Sequence, residues 1–343
     1  MSDEKTVRNL GESRLIEVVE EIIHKVTGKT LIRDDSFFFN LKNSLPSKDN
    51  GEYFTVLNSD MFVSTTDAPP QMNHYQMGNK AVVMNVSDVI VKGAEPKGII
   101  ISLGIPKDMI LESFKNLVRG IVDRCKKLDL DYIGGDINET REIIVNPTVF
   151  GFQEKTKIIH RKGVQPEDLL VSNGKFGLTG VGFDVLLKKK GNLNNFQSYQ
   201  RSIMSVLEPG NVGREAIILA ENGLANASID SSDGLVRSLK ELMLSNPNIG
   251  FEIEFNNELI DEEALNYSKE FKSFLEDMVF NAGEEFIHLF TMSEENYNLT
   301  LENFKNQGIR LFKIGKAISE EKLYFIKDGI KNELKVSGFE HFK

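Results

Sequence analysis

Tryptophan is absent from this chain, cysteine occurs once and histidine five times. With Cys125 alone, no intramolecular disulfide can form and no cysteine-based zinc site can be built. His24, His74, His160, His288 and His341 show no metal-ligand spacing, and we read them as structural or surface residues. Long apolar runs are also missing: none approaches the roughly 20 residues that span a bilayer. Met1 to Leu10 is polar and charged and lacks the apolar core of a signal peptide. The expectation is a soluble, cytoplasmic protein without a membrane partner. Basic charge is in deficit, with 41 Lys plus Arg against 51 Asp plus Glu and a formal charge of -10. That argues against a general nucleic-acid surface, which needs a basic patch. A small anionic ligand stays possible, because a metal or a few local cations reverse the field at a site.

What the chain does have is a recurrence of short apolar runs that end in aspartate. It appears in Leu31–Asp35, Phe54–Asp60, Val82–Asp88, Tyr132–Asp136 and Ala227–Asp233. Short apolar runs closed by turn residues read as buried strands. Carboxylates gathered at strand ends repel one another, and metal ions offset that repulsion. Magnesium takes oxygen ligands and commonly joins carboxylates to substrate phosphates. The recurrence therefore points to nucleotide chemistry. A single Asp after a strand is ordinarily a turn former or a helix cap, so the weight lies on the set.

The 343 residues are comfortable for two domains. Leu15, Ile16, Val18, Val19, Ile22 and Ile23 have amphipathic-helix spacing, with Gly28 as the stop. Residues 31–40, 53–63, 97–104 and 143–153 read as strands, and 43–51 as a hairpin connection. Residues 64–74 read as a loop, 108–128 as a helix, and 80–91 fits strand or helix on pattern alone. A boundary falls in 154–166, giving domains 1–155 and 156–343. Beyond it, strands are expected from Asp168, at 251–255 and within 280–291, and helices at 180–189, 211–222 and 234–245. The polar stretch 188–195 reads as a loop. The alternation argues an α/β fold of mixed α+β character. Cys125 lies on an expected helix and reads as packed rather than reactive.

Several motifs occur together and in order. They are Gly11-Glu12 with Leu15-Ile16, Asp34-Asp35, Ser59-Asp60, Asn85–Asp88 followed by Gly93–Pro96, and Gly134–Asp136. Arg161–Gly163 with Pro166 and Asp168, Ile229–Leu235 and Ala282–Phe286 complete the series. On these motifs, which run from Gly11 to about Thr291, the chain resembles the thiamine-monophosphate kinase family. That family belongs to the superfamily of aminoimidazole ribonucleotide synthetase. The resemblance implies a two-domain fold whose N-terminal domains pair in a homodimer, with the active site in a cleft between subunits and domains. It implies transfer of the ATP γ-phosphoryl group to thiamine monophosphate, giving thiamine diphosphate, with several Mg2+ ions. The acceptor is a phosphate oxygen whose second pKa is about 6, so no side-chain base is needed to make the nucleophile. Phosphoryl transfer is then positioning and charge neutralisation.

By the same resemblance Asp34, Asp35, Asp60, Asp88, Asp136 and Asp230 are metal ligands, direct or through water. Adjacent Asp34 and Asp35 would point to opposite faces of a strand, so one of them has a structural reading. Ser59, Asn85, Gly134, Gly135, Ser232 and Asp233 should lie close to ATP or acceptor phosphate, with Ser232 and Asp233 at the reacting groups. Arg161 is a candidate phosphate contact, because guanidinium matches phosphate oxygens. Gly174 and Gly177 lie in a glycine-rich turn before a helix that could offer backbone amides to phosphate.

Departures from the family pattern gather on the acceptor side. Arg33 replaces a glycine, Thr65–Ala68 replaces a Gly-x-His-Phe loop, and Ile137-Asn138 replaces two threonines. Gly177–Thr179 stands where Gly-Asp-Ser is usual, and Ala282–Ile287 where Gly-Gly-Glu-Asp-Tyr-Glu is usual. On sequence, a superfamily enzyme with another small acceptor, or a non-catalytic nucleotide-binding relative, stays open beside the kinase.

Overall fold

In the computed structural model of the chain the described residues are 11–30, 52–189, 193–210 and 212–334. They fall into two compact units, Met1–Val89 with Ala94–Lys155, and Ile90–Gly93 with Thr156–Lys343.

The first unit opens with helix α1 (Gly11–Thr27), which buries Leu15, Val18, Val19, Ile22 and Ile23. Gly28 ends it at φ +72°, donating its amide to the His24 carbonyl at 2.8 Å, a left-handed position that glycine occupies at little cost. There follow β1 (Tyr53–Asn58), β2 (Phe62–Val63), the short turn α2 (Ser64–Asp67), α3 (His74–Ile90) and β3 (Glu95–Ile105). Then come α4 (Leu111–Lys127), β4 (Asp131–Glu139) and β5 (Ile144–Glu154). The sheet order is β1-β5-β3-β4, with β2 also on β5. Only β3 and β4 run parallel.

β5 alternates strictly. Val145, Pro147, Val149, Gly151 and Gln153 are buried, and the residues between them are partly exposed. The covered face meets α3, whose Val89 would lie 3.2 Å from a side chain at Gly151. Helices α3 and α4 touch backbone to backbone. A Cβ at Gly78 would fall 2.2 Å from the Leu117 carbonyl oxygen, and one at Gly120 1.9 Å from that of Tyr75. Cys125 is buried on α4, where burial pushes its thiol pKa up, so it is packed and unreactive.

The run Val82–Asp88, grouped above with the strand-like runs although 80–91 fits strand or helix on pattern alone, lies inside α3. Ala81, Val82, Val83, Val86, Val89 and Ile90 are buried together with Asn79, Lys80, Asn85 and Ser87. A helix enclosed on most sides carries no narrow apolar stripe, so its pattern imitates a buried strand. Asp136 is likewise not at a strand end: β4 continues three residues past it.

The second unit contains β6 (Leu169–Ser172), α5 (Leu178–Phe183) running into a π-helical turn (Asp184–Lys189), α6 (Gln200–Leu207), α7 (Glu215–Glu221) and β7 (Ala227–Ser231). It continues with α8 (Leu235–Ser245), β8 (Gly250–Glu254), α9 (Glu262–Phe271), α10 (Leu275–Phe280) and β9 (Ile287–Met292). It ends with α11 (Glu294–Phe304), β10 (Phe312–Ile318), β11 (Leu323–Lys327) and β12 (Ile330–Glu333). The strands form one sheet, β12-β11-β8-β10-β6-β9-β7, antiparallel except at β8–β11. Leu170, Val171, Leu289 and Phe290 are fully buried on the adjacent interior strands β6 and β9. β7 is an edge strand, yet all five of its residues are buried. The stretch 188–195 is largely helical turn rather than loop, with residues 190–192 outside the described residues.

Candidate functional site

Each unit carries one group of the residues singled out above. In the first unit the group forms where β1 ends. Asn58 donates through Nδ2 to Asp60 Oδ2 at 2.9 Å and to Asp88 Oδ2 at 2.8 Å, so one neutral amide bridges a carboxylate of the connection after β1 and one on α3. Asn85, fully buried on α3, accepts from the Asp60 amide at 2.7 Å and returns a bond to the Asp60 carbonyl at 3.0 Å. This fixes the backbone of Asp60 and leaves its exposed carboxylate outward. Ser59 donates to the Pro147 carbonyl at 2.9 Å and accepts from Thr148 Oγ1 at 3.0 Å.

The strand register brings the third motif level with the first. Pro147, whose carbonyl Ser59 reaches, lies opposite Ile101, and Ile101 opposite Gly135, so Pro147 and Gly135 sit about 10 Å apart, two strand spacings along one row of the sheet. Partners in a ladder share a face, which puts Gly134 with Ile100 and Asp136 with Ser102 on the open face. The two glycines differ. A Cβ at Gly135 would fall 1.8 Å from the Ile101 carbonyl oxygen, whereas one at Gly134, φ +145°, would meet nothing within 4 Å. Gly135 is required by the neighbouring strand, and Gly134 leaves open space beside the sheet. Asp34 and Asp35 lie outside the described residues.

The acceptor-side departure Thr65–Ala68 falls on α2 and its exit. Asp67 accepts the Val63 amide at 2.6 Å, and the fully buried Lys80 donates to the Asp67 carbonyl at 2.7 Å. A lysine is seldom buried without such a partner, so Lys80 anchors this turn to α3.

In the second unit the group forms at the end of β7. Asp230 is buried, lies opposite His288 in the register, and its carbonyl accepts from Ser238 Oγ at 3.0 Å. Ser232 and Asp233 follow and are exposed. Gly234, φ +101°, then turns the chain into α8, and a Cβ there would press on the Asn281 carbonyl oxygen at 3.0 Å. Arg161 is exposed, with Nη1 3.6 Å from Glu241 Oε2, and its carbonyl accepts from Asn246 at 2.9 Å. Gly174 accepts through its carbonyl from Ser172 Oγ at 2.8 Å. Gly177 has φ +106° and packs against Ala264. Its amide donates to Glu285 Oε1 at 2.7 Å, with the Thr179 amide at 3.4 Å from the same oxygen. The expectation that Gly177 offers an amide to phosphate therefore meets a competitor inside the chain.

Two residues of this arrangement were not singled out from sequence. Asn58 had one weak signal, an asparagine closing a strand just before Ser59-Asp60. Glu285 lies in the Ala282–Phe286 motif, but no local pattern indicates which of its acids turns inward.

Among the described residues no group of three or more His, Cys, Asp or Glu is placed to hold a metal by itself. Asp60 and Asp88 share one amide and offer oxygen only, which suits a hard cation. Protein ligands would be few, and phosphate and water would complete the shell, as magnesium usually requires. The residues present fit Mg2+ on those terms. Two cavities within the units lie away from these residues. One of about 180 Å³ is lined by Ile23, Thr27, Val122 and Leu130, and one of about 510 Å³ by 162–166 and 245–249.

Comparison with known proteins gives consistent results. The N-terminal-domain model of AIR synthase related proteins matches residues 41–153. A thiamine-monophosphate kinase of Pyrococcus abyssi is 30% identical over 313 residues, covering 90% of this chain and 89% of that protein. One from Nitrosopumilus maritimus is 28% identical over 334 residues, covering 97% and 99%. Among solved structures, AaThiL complexed with AMPPCP and TMP superposes with a TM-score of 0.72 at 24% identity, covering 99% of this chain and 100% of that one. No helix of the described residues is long and apolar enough to cross a membrane.

Proposed function

Because the chain belongs to the thiamine-monophosphate kinase family, we propose that the groups at the ends of β1 and β7 serve that family's reaction. The protein is an enzyme that phosphorylates thiamine monophosphate to thiamine diphosphate, with ATP as phosphoryl donor. The observation that carries the assignment of residues is the Asn58 bridge. It holds the carboxylates of Asp60 and Asp88 close together on one side-chain amide.

Asp60 and Asp88 hold Mg2+, and Asp136 and Asp230 contribute further ligands. When bound, the ions neutralise the phosphates and polarise the transferring group. Asn85 keeps Asp60 aimed outward through its backbone. Gly134 leaves room for a phosphate to approach β4. Ser232 and Asp233, exposed at the turn into α8, contact the phosphates of ATP and acceptor. Arg161 stands ready to exchange Glu241 for a phosphate oxygen. No residue has to remove a proton, since the acceptor oxygen is already ionised near neutral pH.

The homodimer rests on the open face of the first unit's sheet. Leu57, 63% exposed, lies opposite Phe150, and Ile100, 42% exposed, opposite Thr148. An apolar sheet face of this kind is suited to a second copy. Leu57→Asp with Ile100→Asp should shift the protein to monomer in sedimentation equilibrium; an unchanged mass would remove this face from the interface.

The test of function is ADP release from purified protein with magnesium and ATP, with and without thiamine monophosphate. Acceptor-dependent release together with thiamine diphosphate formation is expected. ATP binding without acceptor-dependent turnover would refute the assignment.

A further inference from the structure

The loop before β9, residues 281–286, is moulded onto the chain that carries Ser232 and Asp233. Glu284 donates its amide to the Ser232 carbonyl at 2.6 Å, and Phe286 donates to the Ser231 carbonyl at 3.0 Å. Gly283 sits so close that a Cβ would fall 2.6 Å from the Ser232 carbonyl oxygen. Two residues of this loop, Glu284 at φ +61° and Phe286 at φ +50°, are left-handed without being glycine. That conformation is disfavoured for ordinary side chains, and for a bulky aromatic especially, so it persists only where neighbours hold it.

Glu285, between the two, turns in the other direction. Its carboxylate takes the Gly177 and Thr179 amides at the start of α5, 108 and 106 residues away in sequence. Those two N–H groups have no helical partner of their own, and a carboxylate acceptor gives them charge-assisted bonds. One side chain thus links the turn before α5 to the loop that shapes Ser231–Gly234. The residue as a whole is partly exposed, and its carboxyl end is the buried part.

We propose that Glu285 is a positioning residue for the phosphate-contacting turn Ser232–Asp233: its carboxylate ties the 281–286 loop to the amino end of α5, and the loop in turn holds the backbone of Ser231–Gly234. This rests on the reading that Ser232 and Asp233 touch the substrates' phosphates. Without the tether, the left-handed Glu284 and Phe286 relax, and the carbonyls of Ser231 and Ser232 lose their donors. The turn then drifts, and a displacement of about 1 Å at a reacting group costs up to about 100-fold in rate. In Glu285→Gln the side-chain oxygen still accepts both amides, so the tether survives without its charge.

The experiment compares Glu285→Ala and Glu285→Gln with the wild-type full chain. Amide hydrogen exchange and steady-state kinetics are measured, with active fractions set by titration with a non-hydrolysable ATP analogue. In Glu285→Ala, faster exchange is expected at 177–179 and also at the Glu284 and Phe286 amides. The kcat per active site should fall about 10- to 100-fold with KM for ATP within about twofold, and Glu285→Gln should recover most of both. Exchange that rises only at 177–179, or a kcat for Glu285→Ala within twofold of wild type, overturns the proposal. If the wild type shows no acceptor-dependent turnover, the functional assignment fails by itself. Exchange at Glu284 and Phe286 then still decides whether the tether exists.

Discussion

In the first unit the acids are braced by neutral amides, whereas in the second the bracing comes from backbone and from another acid. Asn58 and Asn85 hold Asp60 and Asp88 with side-chain amides. The second unit buries Asp230 and presents Ser232 and Asp233 on a tight turn, shaped by residues 281–286 and anchored through Glu285. The difference suits the two tasks. A cation site gains from carboxylates gathered before the ion arrives. A turn that contacts phosphate gains from fixed backbone geometry, with no further negative charge aimed at the anion.

The comparison breaks first at the metal ligands. Asp60→Asn keeps the shape and removes the charge, and kcat should fall by at least about 100-fold in the acceptor-dependent ADP assay. Activity within twofold of wild type would remove Asp60 from the ligand set. Asn58→Ala removes the bridge and leaves the carboxylates, and supporting residues of this kind cost about 10- to 100-fold in metal affinity. The magnesium concentration for half-maximal rate should rise accordingly while kcat at saturating magnesium stays near wild type. A magnesium dependence that does not move would leave Asn58 with no part in the site.

Stability separates the two glycines of β4. Gly135→Ala places a methyl group against the Ile101 carbonyl and should cost about 3 kcal/mol or more, in the upper range for overpacking. Gly134→Ala meets open space and bears only the strain of its positive φ, about 1 kcal/mol. Equal urea midpoints for the two variants would contradict the pairing of Gly135 with Ile101 across β3 and β4.

The smallest effect concerns Glu285. Burial pushes its pKa up to about 7, against the pull of the Gly177 and Thr179 amides, with Asp261 adding a further upward push. Between the ordinary carboxyl value of about 4.3 and about 7 the folded protein keeps a proton that the unfolded chain has released. This contribution to stability is complete below the ordinary value and is lost as pH rises through the folded one. Glu285→Gln cannot titrate, so its urea midpoint should fall less steeply with pH across that window. A slope identical to wild type would show that Glu285 does not titrate there.

Much of the fold was legible in the chain. α1 and its Gly28 stop, the strands at 53–58, 144–154 and 250–254, and the helices at 111–127 and 235–245 follow from periodicity and punctuation. Val82–Asp88 did not, because a helix buried on most sides loses the stripe that identifies it. The aspartate motifs were visible one by one, and their order pointed to the family. The partners that give them their roles were not: Asn58 reaches Asp88 across 30 residues and Glu285 reaches Gly177 across 108.

Sequence alone therefore determined the chemistry on offer, namely carboxylates, glycines and hydroxyls in family order with no thiol or histidine centre. Tertiary structure decided which of these groups commit their hydrogen bonds to the scaffold and which face outward. Asn85 is committed to Asp60, and the Gly177 amide to Glu285, while Gly134, Asp136, Ser232 and Asp233 remain at the surface. The reason is physical: a residue's type sets what it can donate or accept, but whether that capacity is used up depends on distant neighbours that only the folded chain brings within about 3 Å.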